Sequence, residues 1–436
     1  MIEYLKEAPW HSQQVTDEIK RTVSEMLSRI DADPEAGIRH YSRELDGWDP
    51  ASFVVDAETI ASAADHLDPA LRGHIGFAQD QIRGFATAQR ATMQDLEVET
   101  LPGVVLGHRH IPVQTVGSYV PGGRYPLLAS AFMTVIVPKV AGVERVIACA
   151  PPRGGAGIHP AMTYAMSTSG ADTILAIGGV QALAAMVYGI EGLPEADLIV
   201  GAGNAYVAEA KRQLFGRVGI DLLAGPTEVA VIADETADAE LVALDLLGQA
   251  EHGPTSPAVL ITTSRRLGEE VLTAVEHWLE TFPTRDVAGA AWRAHGSVIV
   301  VGDLDEAIAL SDRIASEHLE VQVDPARLEY CRTRLQNYGS LFLGAEATVA
   351  YGDKAVGTNH VLPTLRASRY TGGLWVGKFL KTCTYQRLTE EGTHQVAPTV
   401  EAIAAAENME GHALTARYRL DRLDSGSGSG SGSGEW

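Results

Sequence analysis

Thr173-Ile174-Leu175-Ala176-Ile177-Gly178-Gly179-Val180-Gln181-Ala182-Leu183-Ala184-Ala185-Met186-Val187-Tyr188 is a β-branched apolar run, a glycine pair, and then a longer apolar run. Five residues suit a strand, the glycines allow a sharp turn, and Val180 to Tyr188 is long enough for a helix. The alternation continues on both sides: Val143 to Cys149 and Leu198 to Val200 read as strands, Pro160 to Met166 and Asn204 to Leu214 as helices. Strand and helix in alternation imply βαβ units and a mostly parallel sheet, which binds ligands beyond the carboxyl ends of its strands. Glycines stand at those ends, in Gly178-Gly179, Gly201-Ala202-Gly203 and Gly225-Pro226.

A second alternating set runs from Glu228 to Leu343, with strand-like Val229 to Ile232, Ala258 to Thr262, Ser297 to Val301 and Ser340 to Leu343. The fold class read from this pattern is α/β with two lobes. Upstream, Val104 to Leu106 and Ile111 to Val116 read as strands, and Ser12 to Ala88 as a helical lead-in with Ile19, Val23, Met26, Leu27 and Ile30 at helical spacing. Beyond Thr364 the pattern reads as helical again, through Phe379 to Leu388 and Val400 to Leu420, across Pro398. Such a tail grips a partner subunit or the chain's own body.

The 436 residues exceed one hydrophobic core, and the ordinary share of apolar and charged residues indicates a soluble globular protein. A formal net charge of -22 with no basic block argues against nucleic acid as a partner. No apolar run has signal-peptide or membrane-span character, since Leu127 to Val143 is broken by Pro138 and Lys139. Cys149, Cys331 and Cys383 are odd in number and far apart, which indicates neither a disulfide frame nor a thiolate zinc site and fits a reducing cytoplasm. Ser425 to Gly434 reads as a flexible Ser/Gly linker.

Three stretches carry candidate chemistry. Gln249-Ala250-Glu251-His252 closes the apolar run Ala239 to Leu247, and a Gln and a His three apart can face one metal ion or cap helix carbonyls. Further ligands would have to come from Tyr351 to His360, which holds Asp353, or from Glu407 to His412. Glu317-His318 at a helix-to-strand junction can serve as a pair of bases, or the imidazole can interact with the helix end. No GxGxxG follows the first strand, yet Gly201 to Asn204 before a helix can receive phosphate, with Asn204 as the cap.

Several stretches together resemble the histidinol dehydrogenase family from about Ser24 to Arg419: Gly117-Ser118-Tyr119 with Pro121-Gly122-Gly123, Gly178 to Ala182, Gly203 to Arg212, Ala224 to Val229, Gln249 to Pro254, Glu317-His318-Leu319 and Gly357 to Pro363. The resemblance implies a homodimeric, zinc- and NAD-dependent alcohol dehydrogenase acting on CH-OH, the EC 1.1.1 type, with one Zn2+ per subunit. It implies two Rossmann-like lobes lacking the usual glycine fingerprint, and a C-terminal arm that completes the partner's site. The segments expected are a helical 1–110 packing on the second lobe, a first lobe at 111–227, a second at 228–364, a helical dimerisation arm at 365–424 and the tail 425–436.

Carried over residue by residue, the resemblance makes Gln249, His252, Asp353 and His412 the zinc ligands, with His412 expected from the partner chain. Glu317 and His318 match the catalytic pair, and Tyr119, Gln181 and Asn204 match NAD contacts. Thr227, His360 and Glu407 match substrate contacts, joined there by Gln249, His252, His318, Asp353 and His412. Thr227 stands where a serine is expected and keeps the hydroxyl. The implied reaction is a four-electron oxidation of a small polar alcohol to a carboxylate through an aldehyde.

Arg124-Tyr125-Pro126, Tyr370 to Leu374, Lys354 and Lys378 look like the branch that oxidises 2,3-dihydroxypropane-1-sulfonate to 3-sulfolactate, the sulfopropanediol 3-dehydrogenases. A sulfonate wants a guanidinium or ammonium, whereas an amine wants a carboxylate such as Glu407. Oxidation of L-histidinol to L-histidine, another small polyol, and a non-catalytic assembly role stay open at this point.

Overall fold

The computed structural model describes residues 2–8, 16–122 and 126–426. These divide into two compact units, the first built from 1–90 with 112–379 and the second from 91–111 with 380–436. The chain opens with strand β1 (Glu3–Lys6). Helix Asp17–Ala32 follows, capped by the Thr16 hydroxyl, which accepts from the Ile19 amide. Helix Pro34–Asp46 starts on an Asp33 cap with Pro34 in its first turn and stops at left-handed Gly47.

The spacing expected for these two helices is realised, but their packing differs from expectation: they lie against helices Gly179–Tyr188 and Ala205–Leu214 of the first lobe. Val23, Met26, Leu27, Ile30 and Ile38 join Leu183, Met186, Val187 and Leu214 in one core there. Only β1 of this segment joins the second lobe's sheet, antiparallel to its outermost parallel strand. The apolar stripe required a cover, and the sequence did not say which lobe would supply it.

After helix Pro69–Ala91, β2 (Leu96–Leu101) and β3 (Val104–Pro112) form a hairpin across Pro102-Gly103, where a φ of +76° at Gly103 suits a turn with Pro before Gly. The first lobe then follows, as β4 (Thr115–Tyr119), β5 (Arg145–Ala150), β6 (Thr173–Ala176), β7 (Leu198–Val200) and β8 (Gly219–Ile220). They form a parallel sheet in the order β6-β5-β4-β7-β8. The second lobe has β9 (Val229–Ala233), β10 (Ala258–Thr262), β11 (Gly296–Val300), β12 (His318–Gln322) and β13 (Ser340–Leu343), ordered β1-β11-β10-β9-β12-β13. Both lobes thus run third-second-first-fourth-fifth, with the reversal of direction beside the first strand that makes a crevice in doubly wound sheets.

The second unit holds β2, β3 and β14 (Leu380–Leu388), ordered β14-β3-β2, with helices Glu390–Ala406 and Glu410–Gly426. The helix expected over Phe379 to Leu388 is instead β14: Thr382, Thr384 and Tyr385 are strand formers, and β3 offers a partner edge. Pro398 does not join two helices but lies inside the first of them. Residues 365–379, expected in the arm, belong to the first unit. Arg124 and Tyr125, and the tail beyond 426, lie outside the described residues.

Candidate active site

Helix Leu304–Ile314 ends at Ala315, whose left-handed φ of 54° turns the chain into β12. His318 is therefore the first residue of a strand and not the end of a helix, and Glu317 precedes it at the amino end of the second sheet. Neighbouring β9 brings Thr227 and Glu228 to the same end. Glu317 Oε2 accepts from Thr227 Oγ1 at 2.6 Å and from the Glu228 amide at 2.9 Å. His318 Nδ1 lies 3.0 Å from the Glu228 carbonyl oxygen, to which it donates, so Nε2 is left as the ring's basic nitrogen. Nε2 is buried with no hydrogen-bond partner.

The imidazole of His318 is enclosed by two acids, with Glu317 Oε2 3.4 Å from Nδ1 and Asp353 Oδ1 3.6 Å from Nε2. Burial opposes its charge, but the Glu317 carboxylate, and after it Asp353, outweigh that and push its pKa up to about 10. Burial also works against the Asp353 carboxylate, yet His318, His360 and Lys354 hold it well below the usual range. These two shifts describe one coupled contact, in which a proton on the ring and a charge on the acid favour each other.

Asp353 sits in the short helix Val349–Lys354, capped by Thr348. Its Oδ2 is 3.7 Å from His252 Nε2, and burial lowers the pKa of His252 so that its imidazole is held neutral, as a metal ligand must be. Gln249, in the last turn of helix Ala239–Ala250, places Nε2 3.3 Å from His318 Nδ1 and donates to Thr227 Oγ1 at 2.5 Å. Three of the four expected zinc ligands are thus brought together in the first unit. His360 joins them, with Nδ1 3.0 Å from the Asp353 carbonyl oxygen and Nε2 3.0 Å from Ser130 Oγ. Among the described residues no group of three His, Cys, Asp or Glu is arranged to hold a metal ion.

His412 and Glu407 belong to the second unit, where both are exposed, Glu407 at the end of helix Glu390–Ala406 and His412 in the first turn of the next. Of the cations singled out in the sequence, Lys354 Nζ lies 3.9 Å from Asp353 Oδ2. Lys378 donates to Thr371 Oγ1 at 2.7 Å.

The expected cofactor contacts gather at the carboxyl ends of the first sheet. Tyr119 ends β4 and accepts through its hydroxyl from the Gly179 amide at 3.3 Å. Gln181 is buried beside it and donates to Asp46 at 2.8 Å, with its Oε1 unpartnered. Asn204 caps helix Ala205–Leu214 through Oδ1, which accepts from Tyr206 and Val207 and leaves its Nδ2 for a ligand. Cys149 lies buried near Tyr119, and burial pushes its thiol far above the ordinary range, so it is no nucleophile.

Sequence reasoning missed the groups that hold this crevice. Gly201 has a φ of +113°, and a side chain there would collide with the Tyr119 carbonyl. Its amide donates to Asp221 Oδ2 at 2.8 Å and its carbonyl accepts from Lys211 Nζ at 3.0 Å, while Lys211 and Asp221 pair with each other in full burial. A Lys211→Met variant leaves the Asp221 charge uncompensated, and is expected to lose about 3–5 kcal/mol of stability in denaturant unfolding. Asp46, on the helical lead-in, was equally invisible; only its approach to Gln181 in space marks it.

The histidinol dehydrogenase family profile matches residues 10–420. A "Histidinol dehydrogenase homolog" of Shouchella clausii is 52% identical over 424 residues, covering 97% of this chain and 99% of that protein. The "Sulfopropanediol 3-dehydrogenase" of Ruegeria pomeroyi is 48% identical over 421 residues, 96% of each chain. The crystal structure of histidinol dehydrogenase from Elizabethkingia anophelis superposes with a TM-score of 0.90 at 32% identity, covering 95% of each chain. Matched in sequence over nearly its whole length, and in fold by a solved structure that carries the same name, the chain belongs to the histidinol dehydrogenase family.

Proposed function

We propose that this oxidoreductase converts a primary alcohol to a carboxylate through an aldehyde kept in the site, using zinc and NAD, with 2,3-dihydroxypropane-1-sulfonate as the substrate and 3-sulfolactate as the product. The observation that carries the reaction is the buried pair Glu317 and His318 beside the wall of Gln249, His252 and Asp353. The mixed nitrogen and oxygen donors of that wall fit a zinc ion, which Gln249, His252 and Asp353 would hold with the partner's His412. When bound, zinc orients the substrate's polar groups as a template and NAD provides the hydride acceptor.

In this reading the chain's own residues move the protons. His318 takes the alcohol proton at Nε2, and the Glu228 carbonyl keeps the ring in the tautomer that makes this possible. That requires a neutral ring, and therefore that the Glu317 and Asp353 charges be offset by something other than a proton on His318. Glu317 then takes a proton from the water that attacks the aldehyde. Its Oε2 is committed to Thr227 and Glu228, so Oε1 is the oxygen that meets the water. Tyr119, Gln181 and Asn204 border the cofactor's crevice, and His360 and Thr227 the substrate's.

Two observations favour the sulfonate: the likeness to the Ruegeria pomeroyi enzyme, and the Lys354 ammonium beside Asp353. The reading of L-histidinol to L-histidine rests on the family's naming protein, with Glu407 as the carboxylate for an amine. A second copy of the chain would bring its His412 and Glu407 to this site. In favour of such a homodimer, the second unit exposes Leu96, Val98, Leu101, Ile403, Leu414 and Tyr418 in the single chain. Three free cysteines suit the cytoplasm, and no described helix is long and apolar enough to cross a membrane.

The test is a substrate panel with NAD and added zinc, read by absorbance of the reduced cofactor. We expect kcat/KM for the sulfonate diol to exceed that for histidinol by at least about a hundredfold, a bound below the roughly 10⁴- to 10⁵-fold by which a site rejects a substrate that leaves its buried polar groups unpaired. The reverse order would assign the enzyme to histidine formation, and no turnover of any alcohol would leave only a binding role.

A further inference from the structure

The groups proposed for catalysis stand on three separate elements: β12 carries His318, helix Ala239–Ala250 carries Gln249, and helix Val349–Lys354 carries Asp353. A second polar cluster, unused by the chemistry above, ties the same three elements together. Glu320 is two residues beyond His318, so it projects from the same face of the strand, and it is fully buried. Its Oε1 accepts at 2.9 Å from the amide of Val349, the first residue of the helix that bears Asp353. Its Oε2 accepts from Gln322 Nε2 at 3.3 Å, and the carboxyl also bonds to that of Asp245.

Asp245 lies one turn before Gln249 in its helix. It accepts from Gln322 Nε2 at 2.7 Å and from the hydroxyl of Thr348, the cap of Asp353's helix, at 2.9 Å. A carboxyl buried against a second carboxyl resists ionising. Burial first, and then the Asp245 charge, hold Glu320 well above the usual carboxylate range, so it is Glu320 that keeps a proton and donates it to Asp245. The helix it clamps has only six residues, too few to persist without such anchoring.

We propose that Glu320, joined to Asp245 and Thr348, is a positioning residue that sets Asp353, Gln249 and His318 in mutual register. The inference rests on the reading of those three as site residues. An amide at position 320 can still donate to Asp245 and accept from Val349, whereas a methyl group can do neither. Simple packing at this position would make Glu320→Met, which keeps the volume but neither donates nor accepts, exchange like Glu320→Gln, and that outcome would overturn the proposal.

The test compares full-length wild type with Glu320→Gln, Glu320→Met, Glu320→Ala, Asp245→Leu and Thr348→Val by hydrogen exchange of peptides spanning 348–354 and by steady-state kinetics. Glu320→Gln should exchange there at the wild-type rate. Glu320→Ala should exchange at least about tenfold faster, with peptides of the first sheet unchanged. In turnover, Glu320→Ala should lose about thirtyfold to a hundredfold in kcat, the scale of a small misplacement of reacting groups, while KM for NAD stays put. Thr348→Val, which keeps the side chain's shape but removes the cap on the Ala350 amide as well as the bond to Asp245, should lose about threefold to tenfold in kcat, and Asp245→Leu, which leaves that cap in place, decides the matter by faster exchange over 348–354 should Glu320→Ala fail to fold. Wild-type exchange in both Glu320→Ala and Thr348→Val, or equal damage from Gln and Ala at position 320, would overturn the proposal. The exchange readout needs neither substrate nor metal, so wild type that oxidises none of the alcohols would defeat the proposed function without touching this result.

Discussion

Glu317→Gln is expected to stop the reaction at the aldehyde. The variant should form carboxylate about 10²- to 10⁴-fold more slowly, the usual worth of a positioned general base, and yield half as much reduced cofactor per alcohol consumed. The amide oxygen of a glutamine can still accept from Thr227 and from the Glu228 amide, so the turn before β12 should keep its shape and only the base is lost. A second effect follows from the neighbour. Glu317 does more than any other group to raise the pKa of His318, so its removal lets that pKa fall from about 10. The ring then becomes neutral at lower pH, and the acid limb of the alcohol-to-aldehyde step should shift downward. Product analysis with an aldehyde trap and the pH profile of the first half-reaction check the two effects separately. Undiminished carboxylate formation by the variant would remove Glu317 from the mechanism.

Asp353→Asn should act on the metal. The substitution preserves size but removes the charge that His252 and His318 face at 3.7 Å and 3.6 Å. Loss of an outer partner of a metal ligand costs about 10- to 100-fold in affinity, so loss of a charged ligand should exceed about a hundredfold and leave the dialysed protein nearly free of zinc. The same change withdraws one support of the His318 proton and so lowers the pKa of that ring. Metal content per protomer by elemental analysis, beside turnover with and without added zinc, measures the loss. Full zinc retention by this variant would sink the ligand assignment, because among the described residues it is Asp353 that forms the ion pair with His252.

Both predictions depend on residues that the sequence displayed with unequal clarity. Glu317 and His318 are adjacent in the chain and visible as a pair, but Leu304 to Ala315 suggested a helix end, and only the left-handed Ala315 shows that the pair opens a strand. Gln249, in the last turn of helix Ala239–Ala250, and His252, just past its end, are three residues apart in the chain and so announce themselves. Asp353 lies about a hundred residues away, and nothing in periodicity joins it to them; a motif shared with a family could do so, spacing could not. Glu320 and Asp245 left no mark at all, since an acidic residue in a strand or on a helix ordinarily faces water.

The fold divides in the same way. Strand and helix periods, with glycines at strand ends, were enough to establish two α/β lobes, because each element's pattern of apolar residues is a local property of a few neighbours. Where the lead-in helices dock was not local: their apolar stripe is the same whichever lobe covers it, and the first lobe does. β14 was misread for a related reason, since its nine residues become a strand only by pairing with β3, far earlier in the chain. The sequence alone thus determined which elements form and which residue types are available for chemistry. Tertiary structure decided which of them meet, because burial, ion pairs and a shared proton arise between side chains in space and not along the chain.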